Sequence, residues 1–65
     1  MANFAERLRA LRVNFGLSQQ KLADKLGGVS KSSINMYERN ERRPRDEVKL
    51  KITAYFGKTV AEIFY

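Results

Sequence analysis

The chain has no cysteine and no histidine. Disulfide bridges are therefore excluded, as are the usual zinc sites, which need Cys or His ligands. Proline occurs once, at Pro44. No apolar run approaches the roughly 20 residues of a membrane-spanning helix, and no segment resembles a signal peptide. A bacterial-type cytoplasm or nucleoid is thus the default location. No stretch keeps a period-two alternation, so no strands are expected. Without His or Cys, and with the scattered carboxylates mostly readable as caps or ion-pair partners, there is no catalytic constellation, and the chain does not read as an enzyme.

What the chain does have is positive charge. Thirteen Lys and Arg against seven Asp and Glu leave a formal +6 over 65 residues. An excess of this kind on a small domain suggests a polyanion partner, and a solvated, highly soluble surface is the competing reading. Sixty-five residues make one domain, and a chain this short buries only about 60% of the surface its unfolded form exposes. Modest stability follows.

The most informative stretch runs from residue 17 to residue 39, where the same helix-start signal is written twice. Leu17 and Ser18 precede Leu22, and Val29 and Ser30 precede Ile34. Each serine suits an N-cap, and the apolar residue before it can pack on one four positions into the helix. Only Gly27 and Gly28 separate the two segments. Two short helices joined by a tight glycine turn form a helix-turn-helix, a unit that often holds its second helix in the major groove of DNA.

Periodicity predicts helices on either side. Residues 3 to 15 carry Phe4, Leu8, Leu11 and Phe15 on one stripe, and Gly16 ends the segment. The second helix buries Leu22, Ala23 and Leu26, and the third buries Ile34 and Tyr37. A polar stretch from Arg39 to Arg45 follows. A fourth helix begins near Asp46 with Val48, Ile52, Tyr55 and Phe56 along one side, and Gly57 stops it. Thr59 and Glu62 have capping-box spacing and open a last short helix containing Ile63 and Phe64.

At about 100° per residue, the third helix has two faces. Ser30, Ile34, Tyr37 and Glu38 turn toward the core, and Ser32, Asn35, Met36 and Arg39 turn away, with Lys31 on the flank. On the outward face Lys31 suits a guanine edge, Asn35 an adenine and Met36 a thymine methyl. An ordinary solvated helix face is the plainer reading, although an exposed Met36 amid polar groups lacks an obvious purpose unless something covers it. Arg12 lies between Leu8, Leu11 and Phe15, and Glu38 lies beside Ile34 and Tyr37. Opposite charges on two inward faces are expected to form an ion pair locking the first helix to the third. Ser18, Gln19 and Gln20 at a helix N-terminus suit a phosphate, although capping alone explains Ser18. Arg39, Arg42, Arg43 and Arg45 form a run that either follows a nucleic-acid backbone or remains a solvated loop. Gly57-Lys58-Thr59 copies the end of a nucleotide-binding P-loop, but Ile52 stands where that motif needs glycine and a helix precedes it.

Taken together, the segments Phe4 to Arg12, Gly16 to Ala23, Ser30 to Glu38, Arg42 to Pro44 and Tyr55 to Gly57 resemble the Cro and repressor-type helix-turn-helix family of phages and bacteria. The resemblance spans nearly the whole chain. It implies an all-α fold, a compact bundle of four or five helices of the lambda-repressor-like type, with the motif at about residues 18 to 39. It further implies a sequence-specific double-stranded DNA-binding regulator, most readily a repressor, acting as a homodimer without cofactor, small-molecule ligand or membrane. By position it assigns phosphate contact to Gln19, base reading to Lys31, Ser32 and Met36 with Asn35 close by, and backbone contact to Arg43 and Arg45. It also carries an arginine–glutamate pair at the positions of Arg12 and Glu38. The family often dimerises through its C-terminal region, which makes Val60, Phe64 and Tyr65 candidate contacts; completing the core is the favoured reading for the first two. A protein-interaction module, such as an antitoxin or adaptor on the same fold, is the rival class. The sequence departs from the family pattern at three places: Gly27-Gly28 lengthens the turn by one residue, Asn40 replaces a usual glycine, and Lys49 replaces a usual aliphatic residue.

Overall fold

Side-chain oxygens start four of the five helices found in residues 3–65, the part of the chain that the structure, a computed structural model, describes. Asn3 accepts the Glu6 N–H at 2.9 Å, Ser18 that of Lys21 at 3.0 Å, Ser30 that of Ser33 at 3.1 Å and Thr59 that of Glu62 at 3.1 Å. Each cap satisfies one otherwise orphaned donor and contributes about 1 kcal/mol. The caps open α1 (Phe4–Asn14), α2 (Gln19–Leu26), α3 (Lys31–Glu38) and α5 (Val60–Phe64), while α4 (Asp46–Phe56) follows Arg45 with no side-chain cap. Glu62 also accepts the Thr59 N–H at 2.9 Å, completing a capping box. No strand occurs among the described residues, so the fold is all-α.

One side chain from each helix forms the centre of the core. Leu8, Leu22, Ile34, Ile52 and Ile63 are fully buried. They bring α2 and α3 against each other, α1 against α3 and α5, and α4 against α2 and α5. Leu17 and Val29 pack against this core just ahead of their serine caps, as hydrophobic staples do.

The turn between α2 and α3 depends on its glycines. Gly27 and Gly28 have φ of +73° and +69°, a region closed to most L-residues. Lys51 of α4 donates to the Gly27 carbonyl at 2.9 Å, so the longer turn is tied to the body of the fold. Asn40 adopts φ +58° after α3, a conformation that asparagine tolerates better than most residues.

The folded chain corrects the sequence reading at Phe15, takes the favoured core reading at Phe64 and explains the departure at Lys49. Phe15 lies beyond the end of α1 rather than on its buried stripe: it is 50% exposed and packs edge-on against Phe56, with centroids 4.8 Å apart. Phe64, a candidate dimer contact, is 7% exposed and its ring lies 5.8 Å from that of Phe4, so it belongs to the core. Lys49 is accommodated where an aliphatic residue is common because its stem is half-buried. Its ammonium lies 5.5 Å from the Phe64 ring and 5.7 Å from the Tyr65 ring.

Candidate nucleic-acid interface

A clamp of polar side chains fixes the position of α3. Arg12 donates through Nε to Glu38 Oε2 at 2.6 Å and through Nη2 to Glu38 Oε1 at 3.0 Å. Its Nη1 donates to the Leu17 carbonyl at 2.8 Å, just before the cap of α2. The paired side chains are 13% and 4% exposed. One guanidinium therefore joins α1, the start of α2 and the end of α3 in a bidentate, charge-assisted geometry. Among the described residues no buried side-chain nitrogen or oxygen lacks a partner.

Gln19 extends the clamp. Its Nε2 donates to Glu38 Oε1 at 3.2 Å and to Asn35 Oδ1 at 3.4 Å. Both amide hydrogens are thus turned inward, and the side chain that reads as a phosphate donor serves as a strut between α2 and α3. Spacing along the chain gave no warning of this, because the partner acceptors lie 16 and 19 residues away. Asn35 is left with a free Nδ2 among the described residues and a second lone pair on Oδ1.

Along the outward strip of α3, Lys31 and Ser32 are exposed while Asn35 and Met36 are half-buried. Met36 is less open than its helical face predicts, and the chain turns back after it, with the Glu41 N–H donating to the Met36 carbonyl at 2.9 Å. A shallow hollow of about 240 Å³ borders the strip, lined by Arg9, Arg12, Gln19, Asn35, Glu38 and Arg39. Arg39 also meets Glu41 at 3.3 Å, with the two side chains 63% and 48% exposed. A pair so open to water holds little energy and leaves the arginine available.

The other sequence-predicted residues are dispersed around this strip. Ser18 caps α2, and Gln20 donates to Asp24 at 3.0 Å one turn further along. Arg42, Arg43 and Arg45 are exposed on the far flank of α3. The Arg43 guanidinium stacks 5.1 Å from the Phe4 ring, which ties that loop to the core. Val60 and Tyr65, with Leu50, line a separate hollow remote from α3. Leu50 and Tyr65 are 61% and 78% exposed. Leu50 carries no signal in the sequence beyond its place on α4. No helix is long and apolar enough to cross a membrane, and no group of metal-ligating side chains is found among the described residues.

The helical fold agrees with comparisons to known proteins. A family model described as helix-turn-helix matches residues 8–63. The chain is also 32% identical over 60 residues to a cryptic phage CTXphi transcriptional repressor, RstR, of Vibrio cholerae, an alignment covering 92% of the chain and 53% of that protein. The chain thus spans about half the length of the curated relative it matches. No solved structure matches it significantly.

Proposed function

Because the chain belongs to the helix-turn-helix family, we propose that it binds specific double-stranded DNA sequences with α3 in the major groove and regulates transcription as a repressor. The observation that carries this reading is the clamp: Arg12, Glu38 and Gln19 hold α3 rigidly while Lys31, Ser32, Asn35 and Met36 remain on its outward side. Pre-set geometry of this kind is what base recognition demands, since a loose helix loses the directionality of its hydrogen bonds. Lys31 donates to guanine, Asn35 pairs with adenine, Met36 packs on a thymine methyl, and Ser32 adds a small polar contact. The backbone N–H groups at the start of α2, from Ser18 through Gln19 and Gln20, together with Arg39, Arg42, Arg43 and Arg45, contact phosphates on either side. The likeness to a phage transcriptional repressor favours repression.

The DNA-bound form is proposed to be a homodimer on a short palindrome, with recognition helices about 34 Å apart. Leu50, Val60 and Tyr65 offer an apolar surface bordered by Lys49 and Asp46, which suits a second copy of the chain.

Selection of bound sequences from a random duplex pool tests the proposal, run in parallel with Lys31→Ala, Asn35→Ala and Met36→Ala variants. The expected result is a palindromic motif that changes at defined positions in each variant. A folded protein that enriches no motif would contradict it and redirect the search to a protein partner.

A further inference from the structure

A side-chain amide can be turned over with almost no change of shape, exchanging its oxygen for its nitrogen, and its neighbours decide which way it faces. In this fold one buried charge makes that choice for two amides in succession. Glu38 is held by Arg12 through bonds of 2.6 and 3.0 Å, and its side chain is 4% exposed. The carboxylate offers acceptors only, so Gln19 faces it with Nε2, at 3.2 Å. The same nitrogen lies 3.4 Å from Asn35, which answers with Oδ1.

The surroundings favour the same orientation. The hollow that Asn35 lines carries Arg9, Arg12 and Arg39 against one carboxylate, that of Glu38. Positive charge on that side attracts an amide oxygen and repels an amide nitrogen. Asn35 is also half-buried, whereas Lys31 and Ser32 on the same strip are exposed, so an anchor at Oδ1 leaves its amide little room to turn. The orientation has a chemical consequence, because the two purines differ at one atom of the major-groove edge. Adenine presents the N6 donor beside the N7 acceptor, and guanine presents two acceptors, O6 and N7. An amide held one way sets oxygen against N6 and nitrogen against N7 of adenine. Turned over, it sets nitrogen against O6 of guanine. A free amide therefore tolerates either purine, and a held one selects.

We propose that Gln19 is a positioning residue for base recognition: by holding Asn35 Oδ1 it fixes the Asn35 amide and restricts that position of the bound site to adenine instead of either purine. Oδ1 keeps a second lone pair for the adenine N6–H, and Nδ2, which has no partner among the described residues, donates to N7. The buried Arg12–Glu38 pair thus determines what α3 reads as well as where it lies. The proposal rests on the DNA-binding reading above, and it gives the Gln19 side chain a task other than the phosphate contact that the family resemblance assigns to it.

The test is selection from a random duplex pool with wild type, Gln19→Met, Gln19→Lys, Asn35→Ala and the Gln19→Met, Asn35→Ala double variant, each checked for folding by its melting curve. Methionine keeps the length of the side chain and removes its donors, while the backbone N–H groups at the start of α2 remain. Gln19→Met is expected to relax the adenine position to either purine, with about a fivefold loss of discrimination, as loss of one hydrogen bond predicts. The positions read by Lys31 and Met36 stay as they are, and so does the slope of log K against log salt. Gln19→Lys, whose ammonium carries donors only, retains adenine. In the Asn35→Ala background Gln19→Met has no further effect on preference, as expected of a residue that acts through another. A motif that Gln19→Met leaves intact, or equal relaxation in the methionine and lysine variants, would overturn the proposal. So would uniform weakening on all sequences with a shallower salt slope, which makes the Gln19 side chain a phosphate donor. A wild-type chain that enriches no motif removes the DNA-binding reading and this proposal with it, whereas an altered variant result against a clear wild-type motif bears on the proposal alone.

Discussion

Replacing Glu38 by glutamine tests whether the clamp organises the fold. The substitution keeps size and shape but removes the charge facing Arg12, whose side chain is 13% exposed against 4% for Glu38. Glutamine retains one acceptor oxygen, so one of the two bonds from Arg12 is lost and an amide NH2 group then faces the guanidinium. The Gln19 donor at 3.2 Å also loses its charged acceptor. Breaking a buried pair by removing one partner costs roughly 3–5 kcal/mol, because the remaining charge stays desolvated and uncompensated. In a domain of this size each kcal/mol shifts the melting temperature by about 4–8 °C. A loss near the lower bound therefore lowers Tm by at least about 12 °C. A core this small supplies only about 3–5 kcal/mol in total, so much of the variant is expected to be unfolded at room temperature. Circular dichroism at 222 nm during heating provides the measurement. Replacing both partners, Arg12→Met with Glu38→Leu, is expected to recover much of the loss, since apolar substitutes for buried pairs are often neutral. A Tm within two or three degrees of wild type for Glu38→Gln would refute the argument.

Asn40→Val forces a β-branched residue into φ +58° and is predicted to cost about 1–2 kcal/mol in urea unfolding, whereas Asn40→Gly is neutral or stabilising; equal stability of the two variants would contradict this. The Glu62 carboxyl titrates below the ordinary range because the Thr59 backbone N–H donates to it, with the Thr59 side chain and the charge of Lys58 adding to the effect. A depressed folded-state pKa means that the capping box stabilises fully above the unfolded carboxyl pKa and is lost as pH falls through the lower folded value. Protection of the α5 amides, taken as observed exchange relative to the intrinsic rate at each pH, is therefore predicted to fall on acidification in wild type and to stay nearly constant in Glu62→Gln; the same protection profile in both would refute it. Arg42→Ala is predicted to reduce the slope of log K against log salt for duplex binding by about 0.9, equally on specific and random sequences, and a changed sequence preference would instead make Arg42 a base reader.

Local rules accounted for most of the helix starts. Ser18, Ser30 and Thr59 are visible as caps because their signals lie within a few residues, and the Arg12–Glu38 pair follows from the faces of two helices. The roles that escaped sequence reading depend on distant elements. Gln19 looks like a free phosphate donor until α3 brings Glu38 and Asn35 to it. Met36 looks exposed on its helical face and is half-buried in the fold. Lys49 looks misplaced until Phe64 at the end of α5 and Tyr65 just beyond it bring aromatic rings to its ammonium.

The central claim is that α3 reads the major groove, and dimethyl sulfate footprinting on a duplex recovered by selection tests it most directly. The reagent methylates guanine at N7 in the major groove and adenine at N3 in the minor groove. The account predicts that bound protein protects guanine N7 within the site and leaves adenine N3 reactive, and that Lys31→Ala removes protection at one guanine in each half-site. Protection of adenine N3 alone, or an unprotected site under saturating protein, would contradict it.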